Sequence, residues 1–279
     1  MKLSSLPLSL YLFFLLHNCN QPRNCQQEYI GNKQLDCSDT SSTSKGYNCN
    51  EGPLNSCRSS YVTFRSQPPY DNPISIARLL GAEASSVASC NHISSNDHGK
   101  IPPNKLIIVP VPPCSCSGTS IYQHVAPYTV FNSSKNYFHV ANDDTYQGMT
   151  TCQALRDQNH YYENGNNNIA AGAELKVAVR CAYPSAKQME NGVISLLTYM
   201  VTWNDTVTLI GEKFGVDVHS VLDANMLSWS STIYPFTPIL VPLKHEICTA
   251  NPAGTKSLCP CSDRYHSGWG ESGFRLHMW

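Results

Sequence analysis

The chain is 279 residues long, with a formal net charge of −1 and only 14% charged residues. It has no basic excess and no run of like charges, which sets aside a nucleic-acid partner. Its 13 cysteines point to an oxidising compartment. The close pairs Cys114-Ser-Cys116 and Cys259-Pro-Cys261 lack the two-residue gap of structural zinc sites, so crosslinks are expected rather than a metal.

In chain order, residues 1–25 read as a secretory signal. Lys2 precedes an apolar run from Leu6 to Leu16, shorter than the roughly 20 apolar residues that a membrane span needs. Cleavage is expected between Asn18 and Gln26. Residues 26–57 are polar, show little apolar periodicity and carry Cys37, Cys49 and Cys57. A segment this polar orders only when crosslinked, so it is read as an irregular arm pinned by disulfides.

Residues 58–112 predict a strand from Tyr61 to Phe64 and a helix carrying Ile74, Ile76, Ala77, Leu79 and Leu80. Gly81 ends that helix, a second begins at Val87 and Ala88, and a closing strand runs to Pro110. Residues 125–181 repeat the order: a strand at Tyr128 to Val130, helices at Tyr137 to Ala141 and Thr151 to Leu155, and a closing stretch from Ile169 to Val177. Residues 197–244 show it most clearly. Leu197, Tyr199 and Val201 alternate with Thr198, Met200 and Thr202, as in a strand with one buried face. Asp205 or Thr206 supplies a helix cap. Val207, Ile210 and Phe214 follow at helical spacing, and Gly215 ends the helix. A second helix carries Val218, Val221, Leu222 and Ala224, and a strand follows at Ile239 to Pro242. The opening tyrosines recur about every 65–70 residues, giving three divergent copies of one α+β unit. The tail, 245–279, holds Cys248, Cys259 and Cys261 and is left unassigned.

In the third copy, Tyr199, Val201, Asp205, Thr206, Ile210, Phe214, Leu222 and Asn225 stand where the LysM domain has its anchors. Ile233, Pro235, Leu240, Val241 and Pro242 complete the match. The unit resembles LysM closely, with Asn204 in place of the corner glycine and Phe236 in place of the later one. In the first copy, Ile101 to Pro110 matches the closing phrase with Asn104 in the glycine position. The module order, the cysteine-bearing arm and the phrases at 57–66, 142–148 and 151–155 together resemble the ectodomains of plant LysM receptor-like kinases, in the subgroup whose kinase is inactive.

This resemblance implies an α+β fold of three tandem βααβ LysM modules, packed together and crosslinked by disulfides. It implies extracellular binding of N-acetylglucosamine oligomers, chitin fragments or lipochitooligosaccharides, as the ligand-binding part of a receptor or co-receptor in immunity or symbiosis. It also implies a partner LysM receptor kinase with an active kinase, and no cofactor. Neither a membrane-spanning run nor a kinase motif follows Leu243, so a secreted chitin-binding protein and a receptor fragment acting as an interaction scaffold stay open. No His-Glu-x-x-His or Gly-x-Ser-x-Gly motif marks an enzyme, and no metal site is expected.

The family binds glycans on the loop after the first strand and the loop before the second. By position these are Lys135, Asn136, Tyr137, Asn167, Asn168 and Ile169 in module two, and Trp203, Asp205, Thr206 and Tyr234 in module three. Trp203 and Tyr234 are candidates to stack on sugar faces, with a partly packed structural role as the alternative. Asn132 and Asn204 are N-glycosylation acceptors. A glycan on Asn204 covers the third groove, which favours module two. Carried over from the family, Cys114 pairs with Cys181 and Cys116 with Cys37. A further bond from Cys49 or Cys57 has no partner, because Tyr183 occupies its cysteine position; Cys90 and Cys152 are alternative partners. On that connectivity, Tyr183→Cys is expected to raise stability and remove a free thiol.

Overall fold

The computed structural model describes residues 26–49, 59–94, 100–111, 114–116, 121–132, 135–142, 145–159 and 168–248. The expected signal segment, Cys57, Asn167 and the tail beyond Cys248 lie outside them.

The arm contains two short 3-10 turns (Gly31–Leu35 and Ser42–Ser44) and strand β1 (Tyr47–Asn48). Module one follows as β2 (Ser60–Arg65), α1 (Pro73–Leu80), α2 (Ala84–Cys90) and β3 (Leu106–Val111). A two-residue strand β4 (Ser115–Cys116) precedes module two: β5 (Ile121–Thr129), α3 (Tyr137–Asn142), α4 (Cys152–Gln158) and β6 (Glu174–Val179). Linker helix α5 (Ala186–Glu190) leads to module three: β7 (Ser195–Met200), α6 (Val207–Phe214), α7 (Val218–Ala224) and β8 (Pro238–Leu243).

Local chemistry explains these boundaries. Asn72 accepts the Ser75 N–H at 2.8 Å, with Pro73 in the first turn of α1, and Gly81 closes that helix at φ 64°. The Thr206 hydroxyl accepts the Leu209 N–H at 3.2 Å, and Gly215 closes α6 at φ 63°. Ser185 and Gln188 form a reciprocal capping box on α5, a helix absent from the sequence reading although its Ser-x-x-Gln signature is present.

The three modules share a set of bonds. At the end of the second helix, an asparagine reaches the middle of the second strand. Asn225 Nδ2 donates to Val221 O (2.7 Å) and Leu240 O (2.8 Å), while its Oδ1 accepts the Leu240 N–H (2.7 Å). Asn159 does the same with Leu155 and Lys176, and Asn91 with Val87 and Ile108. At the opposite corner, the N–H groups of Asn104, Gly172 and Phe236 donate to Ser66, Val130 and Val201 carbonyls at 2.7, 2.7 and 2.8 Å. All three donors have positive φ: 64°, 84° and 64°. The turn therefore demands a left-handed residue, and the two replacements of the family glycine in modules one and three keep that conformation.

The modules are joined more intimately than a string of repeats. Strands β3-β2-β7-β8 form one sheet, in which β2 of module one runs parallel to β7 of module three with Ser60 opposite Leu196 and Val62 opposite Thr198. One apolar core runs through modules one and two, from Val62 and Phe64 to Tyr146 and Leu175. A second, in module three, takes in Tyr61 from β2. The arm contributes Tyr47, fully buried beneath the Arg180 guanidinium, which lies 5.3 Å from its ring centroid.

Four disulfides crosslink the described residues: Cys37–Cys152, Cys49–Cys116, Cys90–Cys248 and Cys114–Cys181. Cys114–Cys181 is as expected. The expected Cys116–Cys37 bond is corrected. Strands β1 and β4 flank β5, with Tyr47 and Cys116 both opposite Tyr122, so the neighbour of Cys116 is Cys49. Cys37 instead lies against α4, where Arg156 Nη2 donates to its carbonyl at 3.0 Å, beside Cys152. Cys90–Cys248 fastens the end of α2 to the segment leaving β8, closing a loop with a sequence separation of 158.

All eight described cysteines are paired, so no thiol there waits for a partner at position 183. Tyr183 is itself buried, its hydroxyl accepts the Cys114 N–H at 2.9 Å, and its ring meets Tyr122 edge-on at 5.6 Å. Among the described residues the tyrosine thus supplies packing and a hydrogen bond at the position where a crosslink was expected, and with Cys57 outside them, Tyr183→Cys is now expected to destabilise. That substitution should cost about 2–4 kcal/mol, the order of a large-to-small change in a core, as measured by chemical denaturation. An unchanged or raised stability would show that the ring adds nothing.

Candidate functional site

The corner of module three is built around Asp205. Its Oδ2 accepts from the Tyr199 hydroxyl (2.9 Å), the Thr202 N–H (2.7 Å) and the Thr202 hydroxyl (2.8 Å). Burial, reinforced by that carboxylate, pushes the Tyr199 phenol up to about 12. Asp205 and Thr206 were expected at the sugar; the first is a turn anchor and the second a helix cap. Trp203 is 72% exposed and meets Phe236 edge-on at 6.1 Å. Asn204 is exposed with φ 67°.

The other loop of module three is held by the arm. The Tyr29 hydroxyl accepts the Tyr234 N–H at 2.7 Å and lies 2.6 Å from Thr237 Oγ1. Gln34 Nε2 donates to the Phe236 carbonyl at 3.2 Å, and Gln27 Nε2 to the Pro238 carbonyl at 2.9 Å. Gly31, at φ 66°, sits so close to Tyr234 that a Cβ there would lie 3.3 Å from the ring. Tyr234 keeps one exposed face, but its loop serves as the seat of the arm.

In module two the equivalent loops bond to each other. The Ile169 N–H donates to the Lys135 carbonyl at 2.8 Å, which sets the floor between them. Lys135 Nζ donates to Thr145 Oγ1 at 3.1 Å. Asn136 Oδ1 accepts the His139 N–H at 3.0 Å, so it starts α3. Asn168 is exposed.

Two expected contacts are core residues instead. Tyr137 is 1% exposed and donates its hydroxyl to the Asn159 carbonyl at 2.9 Å; Ile169 is 2% exposed. Neither presents a face to a sugar, and replacing Tyr137 would disturb the fold before any ligand. Sequence reading missed Phe131 and Phe138, which flank the first loop at 77% and 37% exposure. Phe131 meets the core ring of Tyr128 edge-on at 6.3 Å and still leaves most of its surface exposed; the signal in the sequence was an aromatic at either end of a polar loop. Asn132, the expected glycan acceptor, is exposed beside Phe131.

Among the described residues, no group of three or more His, Cys, Asp and Glu side chains is placed to hold a metal. No helix among them is long and apolar enough to cross a membrane.

Comparison with known proteins accords with this architecture. Residues 56–117 match the family model of the NFP/LYK LysM1 domain, 122–180 that of the LYK3/4/5 LysM2 domain, and 196–243 that of the LYK4/5 LysM3 domain. The chain is 41% identical over 245 residues to Protein LYK5 of Arabidopsis thaliana, an alignment that spans 86% of this chain and 35% of that protein. The solved LYK3 ectodomain superposes with a TM-score of 0.55 at 22% identity, covering 67% of this chain and 89% of that one. A second solved structure, the ectodomain of a receptor like kinase, gives 0.54 at 20% identity, with coverages of 67% and 92%.

The corner geometry predicts that Asp205→Ala destabilises without acting on any ligand. Three accepted bonds are lost, and the expected cost is about 2–4 kcal/mol by chemical denaturation. Full stability in that variant would restore Asp205 as a free surface carboxylate.

Proposed function

The chain belongs to the LysM family, in the three-module arrangement of the receptor-like kinase ectodomains, and from that premise we propose that it binds N-acetylglucosamine oligomers outside the cell. In this reading it is the ligand-recognising part of a receptor or co-receptor. Chitin fragments or lipochitooligosaccharides are the ligands, and a LysM receptor kinase with an active kinase is the signalling partner. The role is recognition, without catalysis. The crosslinked architecture supports an extracellular setting, since disulfides persist where the environment oxidises thiols.

The observation that carries the site assignment is the contrast between the two grooves. In module three, one loop spends its acceptor on its own corner, and the other is seated under the arm. Among the described residues of module two, the two loops meet at the bond from the Ile169 N–H to the Lys135 carbonyl, and Asn168 is exposed beside it. Shallow sites of this kind suit an N-acetyl sugar, whose methyl is buried while its amide is hydrogen-bonded. The exposed ring of Phe131 at the start of the loop adds a surface on which a pyranose face stacks.

The test is a double substitution, Lys135→Ala with Asn168→Ala, chosen because neither side chain belongs to the core. Calorimetric titration with a chitin oligomer should show affinity weakened about tenfold, equivalent to about 1.4 kcal/mol, with a melting temperature close to wild type. Unchanged affinity would remove module two as the site.

A further inference from the structure

A cleft of about 630 Å³ lies at the seam where the three modules and the arm meet. Leu35 of the arm, Arg65 and Asn104 of module one, Phe138 and Gln147 of module two, and Phe236 of module three all line it. It lies apart from the floor set by Ile169 and Lys135, on elements that those two loops do not include.

The seam is a built structure. Gln147 grips the end of β2 at both backbone positions, with its Oε1 accepting the Arg65 N–H at 3.0 Å and its Nε2 donating to the Arg65 carbonyl at 2.8 Å. Gly148, at φ 85°, brings module two against module three so tightly that a Cβ would lie 2.9 Å from both Met200 Cε and the Phe236 carbonyl. Backbone strain is concentrated here. Six non-glycine residues among those described have positive φ, and three of them, Asn104, Gln147 and Phe236, line this one cleft. A phenylalanine at φ 64° is costly, and such residues gather where ligands are clamped.

The lining chemistry selects a ligand. Phe138 and Phe236 remain 37% and 44% exposed, so the cleft is walled by two aromatic rings whose faces are not consumed by the core. Only Nη1 of Arg65 is hydrogen-bonded among the described residues, to the Asn104 carbonyl and side chain, leaving its Nε and Nη2 donors available. Among the described residues no carboxylate lines the cleft, and Leu35, Leu106 and Met200 give it an apolar floor. Aromatic walls, amide and guanidinium donors and a small apolar floor together fit a pyranose bearing an acylated amine.

We propose that this seam is a second glycan subsite, which takes one N-acetylhexosamine unit of a chitin oligomer. The sugar ring lies against Phe138 and Phe236, its acetyl methyl rests on the floor formed with Leu35 and Met200, and its acetyl oxygen accepts from Arg65. The assignment rests on the reading that the chain binds N-acetylglucosamine oligomers, and it adds a site formed only when all three modules are docked.

Isothermal titration of the full secreted chain with chitotetraose tests it. The wild type should show two sites, and the Lys135→Ala/Asn168→Ala variant should weaken only one. Phe138→Ala and Phe236→Gly should each weaken the other at least tenfold. Phe236→Gly restores the residue that the turn favours, so its melting temperature should stay level with wild type or rise, which separates loss of binding from loss of fold. If both seam variants keep two sites of unchanged affinity, or if the wild type has one site that the module-two variant abolishes, the seam proposal is overturned while the functional reading stands. A seam that takes an oligogalacturonide and not chitotetraose overturns the ligand assignment. A wild type that binds no chitin oligomer overturns the functional reading and the seam with it.

Discussion

The fold depends on an asparagine at the end of each module's second helix. Asn91, Asn159 and Asn225 each cross to the second strand and bond its backbone at both N–H and C=O, while a further bond holds the preceding turn of the helix. A helix pair of 6–8 residues per helix is marginal by itself. An amide that satisfies three backbone atoms locks the pair to the strand at one height, and that height fixes where the two groove loops stand. Asn225 is fully buried and Asn159 nearly so, so the bonds form in a medium where unpaired backbone groups are expensive.

On this frame the modules are assembled by features that no single repeat contains. The parallel pairing of β2 with β7 makes one sheet from the first and third modules. The arm then joins elements far apart in sequence. Ser44 offers its carbonyl to Thr151 and Arg180 of module two, while Tyr29 and Gln34 hold the closing loop of module three. The disulfides follow this geometry, joining Cys37 to α4 and Cys49 to the edge strand. A polar arm that would not order alone is therefore fixed at both ends of its path.

The repeat itself was legible in the sequence, because its anchors obey local rules. Periodicity gave the helices, Gly81 and Gly215 marked their ends, and Asn225 stood in its place. What escaped was long-range or compensatory. The sharing of β2 and β7 leaves no local signature, and neither does the choice of Cys49 over Cys37 by Cys116, which follows from strand order. Tyr183 read as a missing crosslink because a cysteine pattern does not show what fills the space instead. Tyr137 is buried, Asp205 anchors its turn and Thr206 caps a helix; loop position identifies a neighbourhood, whereas burial and hydrogen bonding decide which atoms are free. Phe236 read as a departure from a glycine, and the structure shows an exposed ring held at a strained backbone.

The two grooves thus differ by circumstance rather than by fold: the closing loop of module three is seated under the arm, whereas the described part of the module-two loops has no such cover, which is the basis for proposing module two as the binder. Amide hydrogen exchange of the intact chain, with and without a chitin oligomer, tests that distinction directly. The account predicts slower exchange in the loops around Lys135 and Asn168, with no change from Trp203 to Thr206. Slowing confined to the Trp203 to Thr206 corner would contradict it.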